Sequence, residues 1–273
     1  MNLPGATTAV VEPALRPPVP GHLRVPRYLE SVYWWAYVHP RAVKTFEREW
    51  LVNAILWGNY ARLRDWALQA LQTAQVPPTV QTAQVLPTVQ TVETVRAPGE
   101  LAIRGHTLQV ACVYGNLTQR LHARLAPDAR LDVLDILPIQ LQNLRAKLPP
   151  GDARVRLLHG DAVALPLPDA SVDQVLLFFL LHEQPDPVRR ATLAEVMRVV
   201  RPGGKVVIVD YHRPVRWHPL RWVMEAVFRR LEPYAKGLWQ QEIEAMLPAH
   251  LRPAAASKRT RFGALYQQLV WTR

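Results

Sequence analysis

The sequence predicts an α/β fold in which a parallel sheet is covered by helices. Three observations carry this expectation. From Leu101 onward, short apolar runs alternate with helix-compatible stretches. The second run ends in an acid, Asp135, where an open sheet of this kind meets its ligand. A Pro202-Gly203-Gly204 turn joins the end of a helix-compatible stretch to the next apolar run.

The elements follow in chain order. Residues 1–27 are rich in proline and lack an apolar core of signal-peptide length, so they read as a flexible leader. Residues 28–72 hold ten aromatics: Tyr28, Tyr33, Trp34, Trp35, Tyr37, Phe46, Trp50, Trp57, Tyr60 and Trp66. Arg41, Lys44, Arg48, Arg62 and Arg64 are interleaved with them, and Ala42 to Leu71 contains no proline, which predicts helix. Two readings stand for this stretch: a helical cap packing its rings on the main domain, or a surface for a membrane interface or a quinone-type ligand. Residues 73–98 contain a tandem duplication, TAQVPPTVQ at 73–81 and TAQVLPTVQ at 82–90. Its prolines and polar repeats predict an exposed flexible insert without chemistry. Residues 99–273 form the main domain, with strands expected at Leu108–Val113, Leu131–Leu134, Val155–Leu158, Val172–Leu177 and Lys205–Val209. A late run, Ala264–Trp271, predicts an antiparallel strand at or near the sheet edge.

Composition narrows the partners. The chain has 273 residues, 49% of them hydrophobic, enough to bury a real core and to exclude a wholly disordered chain. Its net charge of +11 favours anionic partners. No zinc-finger or RNA-binding signature is present and the basic residues are spread rather than striped, so nucleic acid is not expected. A single cysteine, Cys112, excludes an intrachain disulfide and a cysteine metal cluster, and is compatible with a reducing compartment. No apolar run reaches the roughly 18 residues of a spanning helix.

The site features lie in four phrases. LQVACVYGNLT, residues 108–118, is a strand followed by a loop and a helix start. LDVLDILP ends its strand in Asp135, which can accept hydrogen bonds from ribose hydroxyls or simply cap the helix entered near Pro138. HGDAVALPLPDASVDQVLLFFLLHE, residues 159–183, places Asp161 after a strand and Asp173 at the start of the next. Asp161 can equally be a turn residue satisfied by its own backbone. RVVRPGGKVVIVD, residues 198–210, closes the series. In this order the phrases resemble class I S-adenosylmethionine-dependent methyltransferases over residues 101–273, most closely the branch that methylates ubiquinone and menaquinone precursors. The resemblance implies a Rossmann-like sheet with helices on both faces, Asp135 on the ribose, and Asp161 with Ala162 facing the adenine.

The first loop departs from that pattern. Where relatives carry Asp-x-Gly-x-Gly-x-Gly, Gln109 stands for the acid, Ala111 and Val113 for two glycines, and only Gly115 remains. Glycine permits positive φ and close approach to a ligand, whereas a positive φ at Val113 would be a true outlier. The cofactor-contacting loop is then Val113, Tyr114, Gly115 and Asn116, and the amino-acid end of a bound cofactor is expected to lie in an altered pose. This aberrant loop, together with YLESVYWWAYVHPRAVKTFEREWLVNAILWGNYARLRDW, LDVLDILPIQLQNLR and FFLLHEQPDPVRRATL, resembles the rhodoquinone biosynthesis family. That resemblance implies conversion of ubiquinone to rhodoquinone: a ring methoxy group is replaced by an amino group, S-adenosylmethionine is the amino donor, and Mn2+ is required. Two alternatives remain: an ordinary methyltransferase of a quinone precursor, and a non-catalytic membrane-surface binding protein.

Replacing methoxy by amine is an addition–elimination that needs a proton acceptor and hydrogen bonds or positive charge at the quinone oxygens. Candidate catalytic residues are Tyr114, His182 and Glu183, the last two at the carboxyl end of a strand expected to reach Leu181. Each has a plain structural reading as well, Tyr114 as space filler and His182 as a packing residue. Asp210, Tyr211 and His212 end a neighbouring strand on the same rim. No metal motif of known spacing exists, so the metal ligands are unassigned. Residues 211–239 repeat the cationic-aromatic pattern, either as a solvated lid helix or as a surface resting on anionic lipid. The partners expected are ubiquinone and a membrane surface, with a peripheral location on the cytoplasmic face of a bacterial inner membrane or on a mitochondrial inner membrane.

Overall fold

The computed structural model describes residues 23–72 and 102–273. The duplicated insert and residues 1–22 of the leader lie outside the described residues. Runs rich in Val, Leu and Ile pair as strands because both faces of a parallel sheet are buried. The strands are β1 (His106–Val110), β2 (Arg130–Asp135), β3 (Val155–His159), β4 (Val172–Phe178), β5 (Val200–Tyr211), β6 (Ala255–Arg261) and β7 (Tyr266–Thr272). They form one sheet in the order β3-β2-β1-β4-β5-β7-β6. The first five run parallel, and β7 is antiparallel to both of its neighbours. Strand order therefore reverses at β1, with β2 on one side and β4 on the other, which opens a crevice beyond their carboxyl ends.

Side-chain alternation splits the core in two. Val133, Leu176, Val207 and Val209 point to one face, with the helix α4 (Tyr60–Gln72). Val110, Leu134, Val175, Leu177 and Ile208 point to the other, with α7 (Asp186–Val199). The Lys205 ammonium donates to the Ala70 carbonyl at 2.8 Å, satisfying the carboxyl end of α4, and the Gln268 amide donates to Trp66 O at 2.8 Å. Helix α4 is thus fastened to the sheet at two points. The edge strand β6 is exposed throughout and carries Lys258, Arg259 and Arg261, charges that discourage pairing with another chain.

The predicted continuous helix over 42–71 is instead three helices. α1 (Arg27–Ser31) and a π-helical turn at Trp34–Val38 lead into α2 (Pro40–Phe46), α3 (Glu49–Ile55) and α4. Arg48 is extended and ends the first piece. Trp57 and Gly58 take φ of 53° and 75° and end the second, where Gly58 N–H reaches back to Asn53 O at 2.7 Å. The first sheet strand is also shorter than expected: Ala111 adopts φ 72°, which stops β1 at Val110. The positive angles of the loop fall on Ala111 and Gly115, not on Val113. β4 likewise ends at Phe178, because Phe179 turns to φ 53° and a 3-10 turn follows at Leu181–Glu183. The late strand pairs with β5, and β6, which the sequence reading did not anticipate, forms the edge outside it.

Along the chain, α5 (Leu117–His122) joins β1 to β2, α6 (Pro138–Arg145) joins β2 to β3, and α8 (Arg221–Arg230) and α9 (Gly237–Gln240) lie between β5 and β6. No helix among the described residues is long and apolar enough to cross a membrane.

Candidate active site

A cavity of about 470 Å3 lies at the carboxyl ends of the parallel strands, roofed by the N-terminal cap and by α8. Its wall is mostly apolar, with a few convergent polar groups at two ends, the usual make-up of a small-molecule site. One end holds Asp135, Asp161 and Ala162; the other holds His182, Glu183 and Glu232.

Asp135 closes β2 and is buried. Its carboxylate accepts from Cys112 N at 2.7 Å and Leu137 N at 2.8 Å. Leu137, not Asp135, is the residue that precedes α6, so the carboxylate makes a turn contact rather than the helix cap considered above. Burial raises its pKa to about 6, against the hydrogen bonds from Leu137 and Cys112. Asp161 makes the expected turn bond, accepting from Val163 N at 3.1 Å, and also lines the cavity.

The loop between these ends is remodelled by the cap. Gln109, at the acid's position, is fully buried; its amide donates to Ala111 O at 2.9 Å and accepts from the Thr118 hydroxyl at 3.0 Å. Val113 and Tyr114 line the cavity, but Gly115 and Asn116 do not. The Tyr60 hydroxyl takes the amides of Asn116 and Leu117 at 2.8 and 3.0 Å. The Glu47 carboxylate accepts from Gly115 N at 3.1 Å and from the Lys147 ammonium at 2.5 Å, and the Asn143 amide also donates to it. The first amides of α5 are thereby spent on cap side chains. Gly115 is obligatory: its φ is +82°, and a Cβ there would sit 2.5 Å from the Tyr60 hydroxyl.

Tyr114 is held as a wall. Its ring stacks on Tyr37 at 5.5 Å and Phe46 at 5.8 Å, and its hydroxyl donates to Ala36 O at 2.6 Å while accepting from Gln140 at 2.9 Å. Burial, foremost, raises its pKa, so the hydroxyl stays neutral. S-adenosylmethionine fits these residues in one half only. Asp135, Asp161 and Ala162 offer acceptors and an apolar edge to the nucleoside. At the amino-acid end, a carboxylate of the chain itself already occupies Gly115 N–H.

At the far end His182 sits in the 3-10 turn after β4, 5% exposed. Its Nδ1 lies 3.0 Å from Asp210 Oδ1. An ionised Asp210 can only accept, so Nδ1 carries the hydrogen and Nε2 is the nitrogen turned toward the other acids. Asp210 is fully buried and also accepts from Leu181 N at 2.9 Å and Tyr211 N at 2.7 Å. Burial opposes charge on His182, but the adjacent Asp210, then Glu232 and Glu183, outweigh it and raise its pKa to about 9. The acids around it favour the imidazolium form, in which Nε2–H donates. Nε2 faces Glu183 Oε1 at 3.8 Å and Glu232 Oε2 at 3.9 Å. Burial raises the pKa of both carboxyls. The Tyr37 hydroxyl donates to Glu183, tying the cap to this end of the cavity. Glu232 Oε2 is buried without a hydrogen-bond partner among the described residues.

Tyr211 also lines the cavity, packed edge-on to His182 at 4.9 Å, whereas His212 turns away to Ala264 O at 2.9 Å. No group of three or more His, Cys, Asp or Glu side chains among the described residues is arranged to hold a metal ion. The Mn2+ expectation thus finds no donor set here, and no step is assigned to a metal.

Three residues escaped the sequence reading. Glu232 comes from the end of α8, Glu47 from the corner after α2, and Arg189 from α7. Arg189 is 1% exposed and donates to Leu181 O, Gln184 O and Tyr234 O at 2.8, 2.9 and 3.0 Å, so one guanidinium fixes both segments that carry the acids. A lone acid or arginine in a cationic stretch gives no local signal; only the fold brings these together.

Residues 107–204 match the family model for a methyltransferase domain. A demethylmenaquinone methyltransferase of Listeria monocytogenes (serotype 4a, strain HCC23) is 30% identical over 161 residues, which is 55% of this chain and 66% of that protein. One of Thermus thermophilus is 33% identical over 131 residues, 48% of this chain and 58% of that protein. The chain thus spans somewhat less than two thirds of these relatives' length. Human N-acetylserotonin methyltransferase, solved in complex with S-adenosylmethionine, shares the fold at a TM-score of 0.56 and 15% identity, over 91% of this chain and 60% of that one. The matched domain at residues 107–204, the relatives and the strand order agree on the fold of class I S-adenosylmethionine-dependent methyltransferases.

Proposed function

We propose that this chain uses S-adenosylmethionine to modify the ring of an isoprenoid quinone or its precursor. The observation that carries the reading is one continuous cavity, with ribose-type acceptors at one end and a His182–Asp210 pair at the other. Its relatives named as demethylmenaquinone methyltransferases support a quinone substrate.

When bound, S-adenosylmethionine supplies an electrophilic methyl group on sulfur and a primary amine. The chain's residues do the rest. Asp135 and Asp161 orient the nucleoside. His182 Nε2–H donates to a quinone oxygen and stabilises negative charge as it develops there. Asp210 fixes the ring and tautomer of His182. Glu183 and Glu232, whose pKa values burial raises, take up a proton released from the reacting ring. The stacked Tyr37, Tyr114 and Phe46 exclude water from the roof.

Ring methylation is the reaction the relatives favour. A second reading, exchange of a ring methoxy group for an amine as in rhodoquinone formation, is favoured by one observation: Glu47 holds Gly115 N–H. A ligand carboxylate denied that amide would turn the donor's amino-acid end away from its ordinary pose. The test is expression in cells that make ubiquinone and menaquinone, followed by lipid mass spectrometry, with donor labelled at the amino nitrogen. A gain of methyl supports the first reading, and labelled amine in place of methoxy the second. Unchanged quinones with active protein would overturn both.

A further inference from the structure

The cavity does not open onto an ordinary polar surface. Trp35, Ile55, Trp57 and Leu231 both line it and are exposed, at 41%, 45%, 38% and 46%, so its rim is apolar and wet. Three elements carry this rim, the Trp34–Val38 turn, the α3–α4 corner and α8, and the last two touch where the Trp57 indole N–H meets Met224 Sδ at 3.3 Å. Large apolar side chains continue outward from those two: Trp50 is 64% exposed on α3, and Trp222 and Val223 are 77% and 43% exposed on α8.

Charge on α8 follows the same faces. Positions seven apart stack on one side of a helix, which sets Arg229 beneath Trp222 and Arg230 beneath Val223. Between His212 and Leu231 the chain has five arginines and one acid, Glu225, which pairs with Arg221 at 3.8 Å. Arg229 and Arg230 are exposed and make no ion pair with a described residue. An exposed indole on the same helix face as an exposed guanidinium group suits the boundary of an anionic bilayer, where rings enter the headgroup layer and cations meet phosphate. Exposed apolar side chains at the mouth of an apolar cavity mark an interaction surface.

We infer that the rim formed by Trp50, Ile55, Trp57, Trp222, Val223 and Leu231 docks on an anionic lipid bilayer, so that the cavity opens directly into the lipid between α3 and α8. The surface is independent of the reaction, and its test reads lipid binding without turnover.

The full chain is sedimented with extruded vesicles of phosphatidylcholine, alone or with about a third phosphatidylglycerol, in about 0.1 M and about 0.5 M salt. Binding is expected to be at least about tenfold stronger on anionic vesicles and to weaken with salt. The pair Trp50→Ser with Trp222→Ser, outside the cavity wall, is expected to lower partitioning about tenfold on either vesicle. Arg229→Glu with Arg230→Glu is expected to remove the phosphatidylglycerol preference. Each variant is checked for an unchanged melting temperature. Should a variant unfold, brominated lipid replaces it: quenching of the parent's tryptophan fluorescence supports docking and its absence overturns it. No sedimentation, or binding untouched by both pairs, overturns the inference. So does a parent that is dimeric in solution, becomes monomeric in the tryptophan variant and ignores vesicles, since the face would then belong to a second copy.

Discussion

Two side chains carry opposite charge problems, and each fixes a pH dependence. Burial leaves Asp135 with a pKa of about 6, so it is ionised at pH 7.5 and largely protonated at pH 5. A protonated carboxyl loses acceptors for ribose hydroxyls. Calorimetry should therefore find S-adenosylmethionine binding about tenfold weaker at pH 5 than at pH 7.5, and Asp135→Ala should bind weakly at both. His182 is the converse, held charged by Asp210. His182→Gln should lower turnover by at least about a hundredfold while leaving donor affinity within about twofold, because the imidazolium faces the acids and not the nucleoside end. Asp135 and His182 were legible in the sequence because strand ends announce themselves. The charge state of His182 was not, since it depends on Asp210 and Glu232, which the chain delivers from 28 and 50 residues away.

The cap and its fit to α5 decide the local architecture. Tyr60→Phe would remove one hydroxyl that satisfies two helix-start amides. Unpaired buried amides destabilise by about 1–3 kcal/mol each, so the melting temperature should drop by several degrees in a thermal scan, with the fold retained. Gly115→Ala should cost as much or more, since both the backbone angle and the Tyr60 contact oppose it. Helices and strands differed in how plainly they could be read. Strands β2, β4 and β5 stand out as apolar runs bounded by turns. The edge strand β6, AASKRTR, has no apolar alternation because all of it is exposed. The breaks in the 42–71 stretch escaped notice because no proline marks them; an extended Arg48 and the Trp57-Gly58 pair end the helices instead.

For the molecule as a whole, several buried groups push stability the same way. The folded pKa of His182, about 9, lies above its ordinary 6.5. Its contribution is complete below pH 6.5 and disappears as pH rises through 9. Glu183 and Glu232 have raised folded pKa values, so ionising them as pH rises also works against the fold. Denaturant titration should show stability falling by about 2–3 kcal/mol from pH 6.5 to pH 9, with a shallower fall in His182→Gln. Gly115, Tyr60 and Glu47 interlock, so restoring glycine at Ala111 and Val113 alone would leave Glu47 still on the Gly115 amide. Reverting to an ordinary nucleotide loop would demand concerted replacement in two distant segments, and single mutational steps between the two designs pass through a less stable protein.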